Sequence, residues 1–236
     1  MGVLPAFGGK ALPPMTATSL SKDGFEIHRG IFKGKDLTEF REEAAAVAQA
    51  AGSICVRHLR AKSGRFDALS TSQLVLSMLP PNLRPVRSIL FDKTSSENWP
   101  VPWHQDLTIA VAAAEEVDAY GPWSYKDGAP HVQPPVSLLE NMVTVRIHLD
   151  ETPASNGALR VIPGSHRKGK LSAESVVDQD KGMAVTCECH AGDVLLMSPL
   201  ILHSSRRSEL PSQRRILHFE YARKDDLDAL LDWFEQ

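Results

Sequence analysis

Two histidines and an aspartate form a set that could hold one metal ion. His104 and Asp106 are separated by a single residue, and His203 follows far downstream. In extended backbone, residues i and i+2 project to the same side, so both side chains of the His-x-Asp pair can reach a common ion. Two imidazoles and one carboxylate make the facial triad that binds Fe(II) on one face and leaves the opposite positions open. On a divalent ion such a set keeps a charge of about +1, which suits a chelating dianion. A dianionic acid needs a cation at its far end, and Arg214 is a candidate for that role.

The rest of the composition narrows the class. The chain has 236 residues, 42% of them apolar, with a formal net charge of −3. That length suits one β-rich unit, and the charge balance implies neither a nucleic-acid partner nor another polyanion. Cys55, Cys187 and Cys189 are odd in number, and Cys187-x-Cys189 lies on one strand face. Reduced thiols in a cytoplasm are the simpler reading than a secreted disulfide framework. The pair has no second pair to complete a zinc site. No run approaches the roughly 18 apolar residues of a membrane span, and the first residues do not read as a signal peptide.

These chemical residues must be carried by secondary structure, and the pattern is helical at the two ends and β in the middle. Residues 1–23, with Pro5, Pro13, Pro14 and Gly8-Gly9, read as an arm, and 24–236 as one domain. A first strand is expected over 25–32, a helix over 36–51 stopped by Gly52, and a strand over 53–59. Ser70 or Thr71 is expected to cap a short helix ending before Pro80-Pro81. Further strands are expected over 85–92, 106–113, 137–149, 157–162, 183–190, 193–198 and 214–222, separated by turn-formers such as Asn156-Gly157 and Pro163-Gly164-Ser165. Asp225 or Asp226 is expected to cap a last helix through Leu227, Leu230, Leu231 and Phe234. Residues 114–136, rich in Pro and Gly, read as an irregular loop of the length that serves as a lid. The fold class is therefore mainly β (α+β): a double-stranded β-helix, or jelly roll, buttressed by helices.

Four sequence blocks carry a resemblance. Trp103-His-Gln-Asp106 is followed by Ser155-Asn-Gly-Ala-Leu-Arg-Val-Ile-Pro-Gly-Ser-His166, by Gly192-Asp-Val-Leu-Leu-Met197, and by His203-x-Ser205 with Arg214. In this order they resemble the Fe(II)/2-oxoglutarate-dependent dioxygenases, and within them the phytanoyl-CoA hydroxylase-like family, over about residues 24–222. The resemblance implies that His104, Asp106 and His203 are the metal ligands, and that Fe(II), 2-oxoglutarate and O2 are used. It also implies that a small-molecule substrate is hydroxylated or desaturated while succinate and CO2 are released. Related halogenases lack the carboxylate that Asp106 supplies, so oxygen chemistry is expected. Arg214, eleven residues after His203, matches the arginine that meets the distal carboxylate of 2-oxoglutarate, a bidentate charge-assisted contact. Adjacent strand residues face opposite sides, so Arg215 is the alternative. Ser205 matches a cosubstrate position, or is a turn serine bonding its own backbone. Lys93 is a weaker cosubstrate candidate, since its spacing is not a clear match.

Substrate contacts are harder to read. Lys126, His131 and Gln133 lie in the 114–136 loop and could touch substrate or simply be solvated. Arg146 alternates with Val143, Val145 and Ile147; it looks outward if the apolar parity packs the core, and anchors substrate if the polar parity lines the cavity. His218 shares strand parity with Arg214 and could line the pocket, although a packed core histidine is the simpler reading. His28, His58, His166 and His190 read as structural or exposed. A zinc hydrolase and a jelly-roll binding protein without turnover remain alternatives: the first leaves Arg214 unexplained, and fold alone does not separate the second.

Overall fold

The computed structural model describes residues 19–94, 98–179, 181–209 and 213–235. Its helices are α1 (Ser19–Asp23), α2 (Gly34–Ala51), α3 (Leu59–Lys62), α4 (Gly64–Ser70), α5 (Gln73–Leu76), α6 (Val136–Asn141) and α7 (Ala173–Asp178). The strands are β1 (Phe25–His28), β2 (Cys55–Arg57), β3 (Arg84–Lys93), β4 (Val101–His104), β5 (Ile109–Ala110), β6 (Trp123–Lys126) and β7 (Ala129–Val132). They continue with β8 (Val143–His148), β9 (Leu159–Val161), β10 (Val185–Cys187), β11 (Val194–Met197), β12 (His203–Ser205) and β13 (Arg214–Ala222). The named strand pairs are antiparallel.

A six-stranded sheet, in the order β1-β11-β8-β13-β3-β2, faces a four-stranded sheet, β10-β9-β12-β4. Together they form the jelly roll. The larger sheet is covered on both faces. Val143, Val145 and Ile147 of β8 pack with Leu217, Phe219 and Tyr221 of β13 against Phe40, Ala44 and Phe66 of the helices. The opposite parity of the same strands therefore faces the smaller sheet. Helix α2 forms where expected: Leu37, Phe40, Ala44 and Val47 lie on its buried stripe, and Gly52 ends it in a left-handed conformation, donating to the carbonyls of Ala48 and Gln49.

Several expectations are corrected. The 114–136 segment is not an irregular loop throughout: β6 and β7 form a hairpin that pairs with β5, and Ala129–Val132 are all buried. Ahead of the hairpin the irregular part shrinks to 114–122. The strand expected over 106–113 is only Ile109–Ala110, and the His-x-Asp motif instead sits at the end of β4. Residues 137–149 divide into α6 and β8. Ser63 and Ser72, rather than Ser70 or Thr71, cap the short helices by accepting from the backbone N–H of Phe66 and Val75. The last helix is absent among the described residues. Lys224–Asp226 is one 3-10 turn, and Leu227, Leu231 and Trp233 bury irregular chain against Ile109, Val111 and Leu138. Most of the expected arm, residues 1–18, lies outside the described residues, while 19–23 form α1 with Leu20 buried.

Candidate active site

The His-x-Asp pair is built by a strand end and the loop after it. His104 is the last residue of β4 and pairs directly with His203 of β12. The backbone then leaves the sheet, and the Asp106 N–H is caught by the Pro199 carbonyl at 2.9 Å. Gln105 points away from the cavity and clamps this loop by donating to the carbonyls of Gly169 and Leu200. The turn at Pro163–Ser165 holds the other side. Ser165 Oγ accepts from the Leu202 N–H at 2.8 Å, which fixes the residue just before His203.

The three side chains converge. His104 Nε2 lies 3.7 Å from Asp106 Oδ1, and His203 Nε2 lies 3.7 Å from Asp106 Oδ2. One potential ligand atom from each residue lies within 4.8 Å of the others. Each ring spends Nδ1 on a backbone carbonyl, His104 on Pro102 at 2.8 Å and His203 on Ile201 at 2.9 Å. A proton on Nδ1 leaves the Nε2 lone pair for a metal, the tautomer that a carbonyl behind a metal-binding ring normally imposes. Burial pushes the His203 imidazolium down to about 4, against the opposing pull of Asp106, so this ring is neutral at pH 7. Burial also opposes charge on Asp106, but His203, His218, His104 and Arg87 together outweigh it and hold its carboxyl at about 2. An ionised carboxylate beside a neutral imidazole, with both Nε2 atoms turned toward it, fits a divalent ion.

A cavity of about 200 Å³, open to solvent, extends from the triad between the two sheets. Arg214 lines it and is 6% exposed. Its Nη1 donates to the Asn156 carbonyl at 3.0 Å and also to that of Gly157. The Asn156-Gly157 turn supplies these carbonyls because Gly157 adopts φ +66°, a region open mainly to glycine. Burial, then the charge of Arg146, lowers the Arg214 guanidinium to about 10. Arg215 faces the other way. Its Nε and Nη2 grip both oxygens of Asp150, at 2.9 and 2.8 Å. Lys93 sits opposite Arg214 on the neighbouring strand and donates to the Trp99 carbonyl at 2.5 Å. Burial, with Arg214 and Arg146 nearby, brings its ammonium down to about 7. Ser205 also lines the cavity.

Arg146 looks inward, not outward: its apolar neighbours pack under the helices, so its own parity faces the cavity. Its Nη1 donates to His218 Nδ1 at 3.0 Å. His218 in turn faces Glu220 Oε1 at 3.2 Å, and Arg87 Nη1 pairs with the same oxygen at 2.9 Å. His218 thus lines the cavity as well as being buried. His131 and Gln133 do not line it: His131 is fully buried with Nδ1 on the Ala129 carbonyl, and Gln133 accepts from Lys170. Lys126 stands beside the cavity, donating to Thr108 Oγ1 at 3.3 Å. Arg57, Arg87, Phe91, Trp99 and Glu220 line the cavity without having been singled out from sequence. The signal for two of them was strand parity: Arg87 shares a face with Lys93, and Glu220 with Arg214.

A family model described as phytanoyl-CoA dioxygenase matches residues 20–216. The chain belongs to the phytanoyl-CoA dioxygenase family. Solved structures similar to this family member include apo HygX from Streptomyces hygroscopicus, 19% identical over 90% of this chain and 88% of that one, with a TM-score of 0.63. The epimerase SnoN in complex with Fe3+, alpha ketoglutarate and nogalamycin RO is 18% identical over 87% and 81% of the two chains, with a TM-score of 0.65. The non-heme monooxygenase ThoJ is 17% identical over 87% and 76%, with a TM-score of 0.66. At these identities the likeness is one of fold. No curated protein matches the sequence. His104, Asp106, His203 and Arg214 line one cavity of this phytanoyl-CoA dioxygenase family member.

Proposed function

We propose that this protein is a non-haem Fe(II) and 2-oxoglutarate-dependent oxygenase that hydroxylates or desaturates a small molecule. The observation that carries the reading is His104, Asp106 and His203 on one wall of a cavity whose far end holds buried Arg214. His104, Asp106 and His203 would hold the ion, and Arg214, with Lys93 and Ser205 beside it, would hold the distal carboxylate of 2-oxoglutarate. Bound Fe(II), with 2-oxoglutarate and O2, supplies the oxidising power to attack a C–H bond, releasing succinate and CO2. The chain's own part is orientation and exclusion. The carbonyls of Pro102 and Ile201 keep both imidazoles in the metal-binding tautomer. The turn at Asn156–Gly157 aims Arg214, and apolar Phe91, Leu159 and Ile216 limit water around the reacting carbon.

A hydrolytic reading needs a general base near the metal. Glu220, the other carboxylate lining the cavity, is tied to Arg87 and faces His218, which disfavours that role. Free Cys55, Cys187 and Cys189 fit a cytoplasmic location. Among the described residues no helix is long and apolar enough to cross a membrane. The test is anaerobic calorimetry with Fe(II), followed by succinate release from 2-oxoglutarate in air. About one Fe(II) should bind, and His104→Ala should weaken it more than tenfold; undiminished uptake by that variant removes His104 from the site.

A further inference from the structure

We propose that the prime substrate is a small anion whose carboxylate or phosphate oxygens are held by Arg87 and Arg57, on the side of the metal ligands away from Arg214. The inference rests on the oxygenase reading above.

Strand register gives the cavity two cationic ends. Lys93, Phe91, Ile89 and Arg87 follow one another along the inward face of β3, with Arg214 opposite Lys93 and Glu220 opposite Arg87. The two ends are six residues apart, roughly 20 Å along the strand. The metal ligands lie between them. On β12, Ser205 leads from His203 toward Leu159 and the turn that holds Arg214. In the other direction Asp106 leads to Thr108, whose carbonyl accepts from Arg87 at 3.4 Å and whose hydroxyl accepts from Lys126. Arg57 pairs across from Ile89, so it is a diagonal neighbour of Arg87 on the same face, close enough to share a ligand oxygen.

The charges at these ends are not equivalent. The two carboxylates of 2-oxoglutarate are met by Arg214 and by the metal, whose charge Asp106 already reduces. Among the described residues, Arg57, Arg87, Arg146 and Lys126 are met by Glu220 and Asp127, and Arg87, Arg146 and Lys126 also share Asp106 with the metal site. Arg87 pairs with Glu220 and Arg57 with Asp127, at 2.9 and 2.8 Å, while Arg146 meets the neutral ring of His218. The side chains of Arg57, Arg87 and Arg146 line the cavity, and anionic oxygens entering it supply opposite charge and charge-assisted hydrogen bonding. Ile89, Phe91 and Ile216 line the space between, which suits a short carbon skeleton with its C–H bonds toward the triad. A cationic substrate would meet repulsion here, and a neutral one would leave the excess charge standing.

The test uses the full chain under argon with Fe(II) and 2-oxoglutarate, read by the visible charge-transfer band of that pair. If the wild type gives no band, the oxygenase reading falls and this inference falls with it. With the band present, short carboxylates and phosphate monoesters are compared with the amides and alcohols of the same skeletons by their shift of the band. Only anions should shift it, and the two arms tell carboxylate from phosphate. Half-saturation should rise at least tenfold in Arg57→Gln and in the double variant Arg87→Gln/Glu220→Gln, which leaves no buried carboxylate unpaired. The proposal is overturned by a neutral compound that acts at its anion's concentration, by a panel in which no anion acts, or by unchanged half-saturation in either variant.

Discussion

Arg214 and Arg215 are adjacent, identical in chemistry and opposite in surroundings, so exchanging each for alanine separates cosubstrate binding from stability. Arg215 grips Asp150 through two nitrogens, with both side chains largely buried, and the Asp150 hydrogen bond raises its guanidinium above the usual range. Removing Arg215 leaves Asp150 with Arg41 at 3.4 Å, a partial replacement, so the cost is on the order of 2 kcal/mol. For a chain of this size that is a fall in Tm of roughly 4–8 °C. Among the described residues Arg214 hydrogen-bonds only carbonyls, and burial already disfavours its charge. Arg214→Ala should therefore leave the Tm of the ligand-free protein nearly unchanged. Its cost appears when 2-oxoglutarate binds: losing one side of a buried charge pair is worth about 2–5 kcal/mol, or roughly 30-fold to several-thousand-fold in affinity. Anaerobic titration of the Fe(II) protein with 2-oxoglutarate, beside thermal denaturation, reads both quantities. If Arg215→Ala weakens 2-oxoglutarate as much as Arg214→Ala does, the assignment of the inward face of β13 to cosubstrate binding is wrong.

Other expectations concern the residues around this pair. Burial holds Lys93 near 7, so between pH 7 and about 8.5 the unfolded chain binds the extra proton and the stability of the ligand-free protein should rise with pH. Lys93→Met should flatten that rise. Above this window the buried thiols of Cys187 and Cys189, pushed up to about 12, act in the opposite direction. Gly157→Ala would place a Cβ 2.5 Å from the Arg206 carbonyl oxygen and 3.0 Å from Arg214 Nη1; both Tm and 2-oxoglutarate affinity should drop, and an unchanged affinity would separate the turn from Arg214 positioning. Hydrogen exchange should show the backbone of 123–132 protected without ligand and that of 113–119 fast; uniform fast exchange across both would restore the lid expected for the whole 114–136 segment.

His104, Asp106, His203 and Arg214 were legible as candidates because motif spacing survives any uncertainty about where strands begin, and the fold brings all four to one cavity. The long apolar periodicities were legible for the same reason, giving α2, β3 and β13 close to their observed bounds. Local pattern failed where tertiary partners overrule it. Within the 114–136 segment, full of Pro and Gly, residues 123–132 became a hairpin because Ile109–Ala110 offers it an edge to pair with. The C-terminal stripe of leucines stayed irregular because Trp233, Leu227 and Leu231 find a core without helical spacing. Arg146 turned inward because helices cover the outer face of the large sheet, a fact that no single strand encodes. The place of Arg57 beside Arg87 was likewise invisible in sequence: it exists only because β2 pairs beside β3 in one register, and register between distant strands is set by packing of the whole sheet.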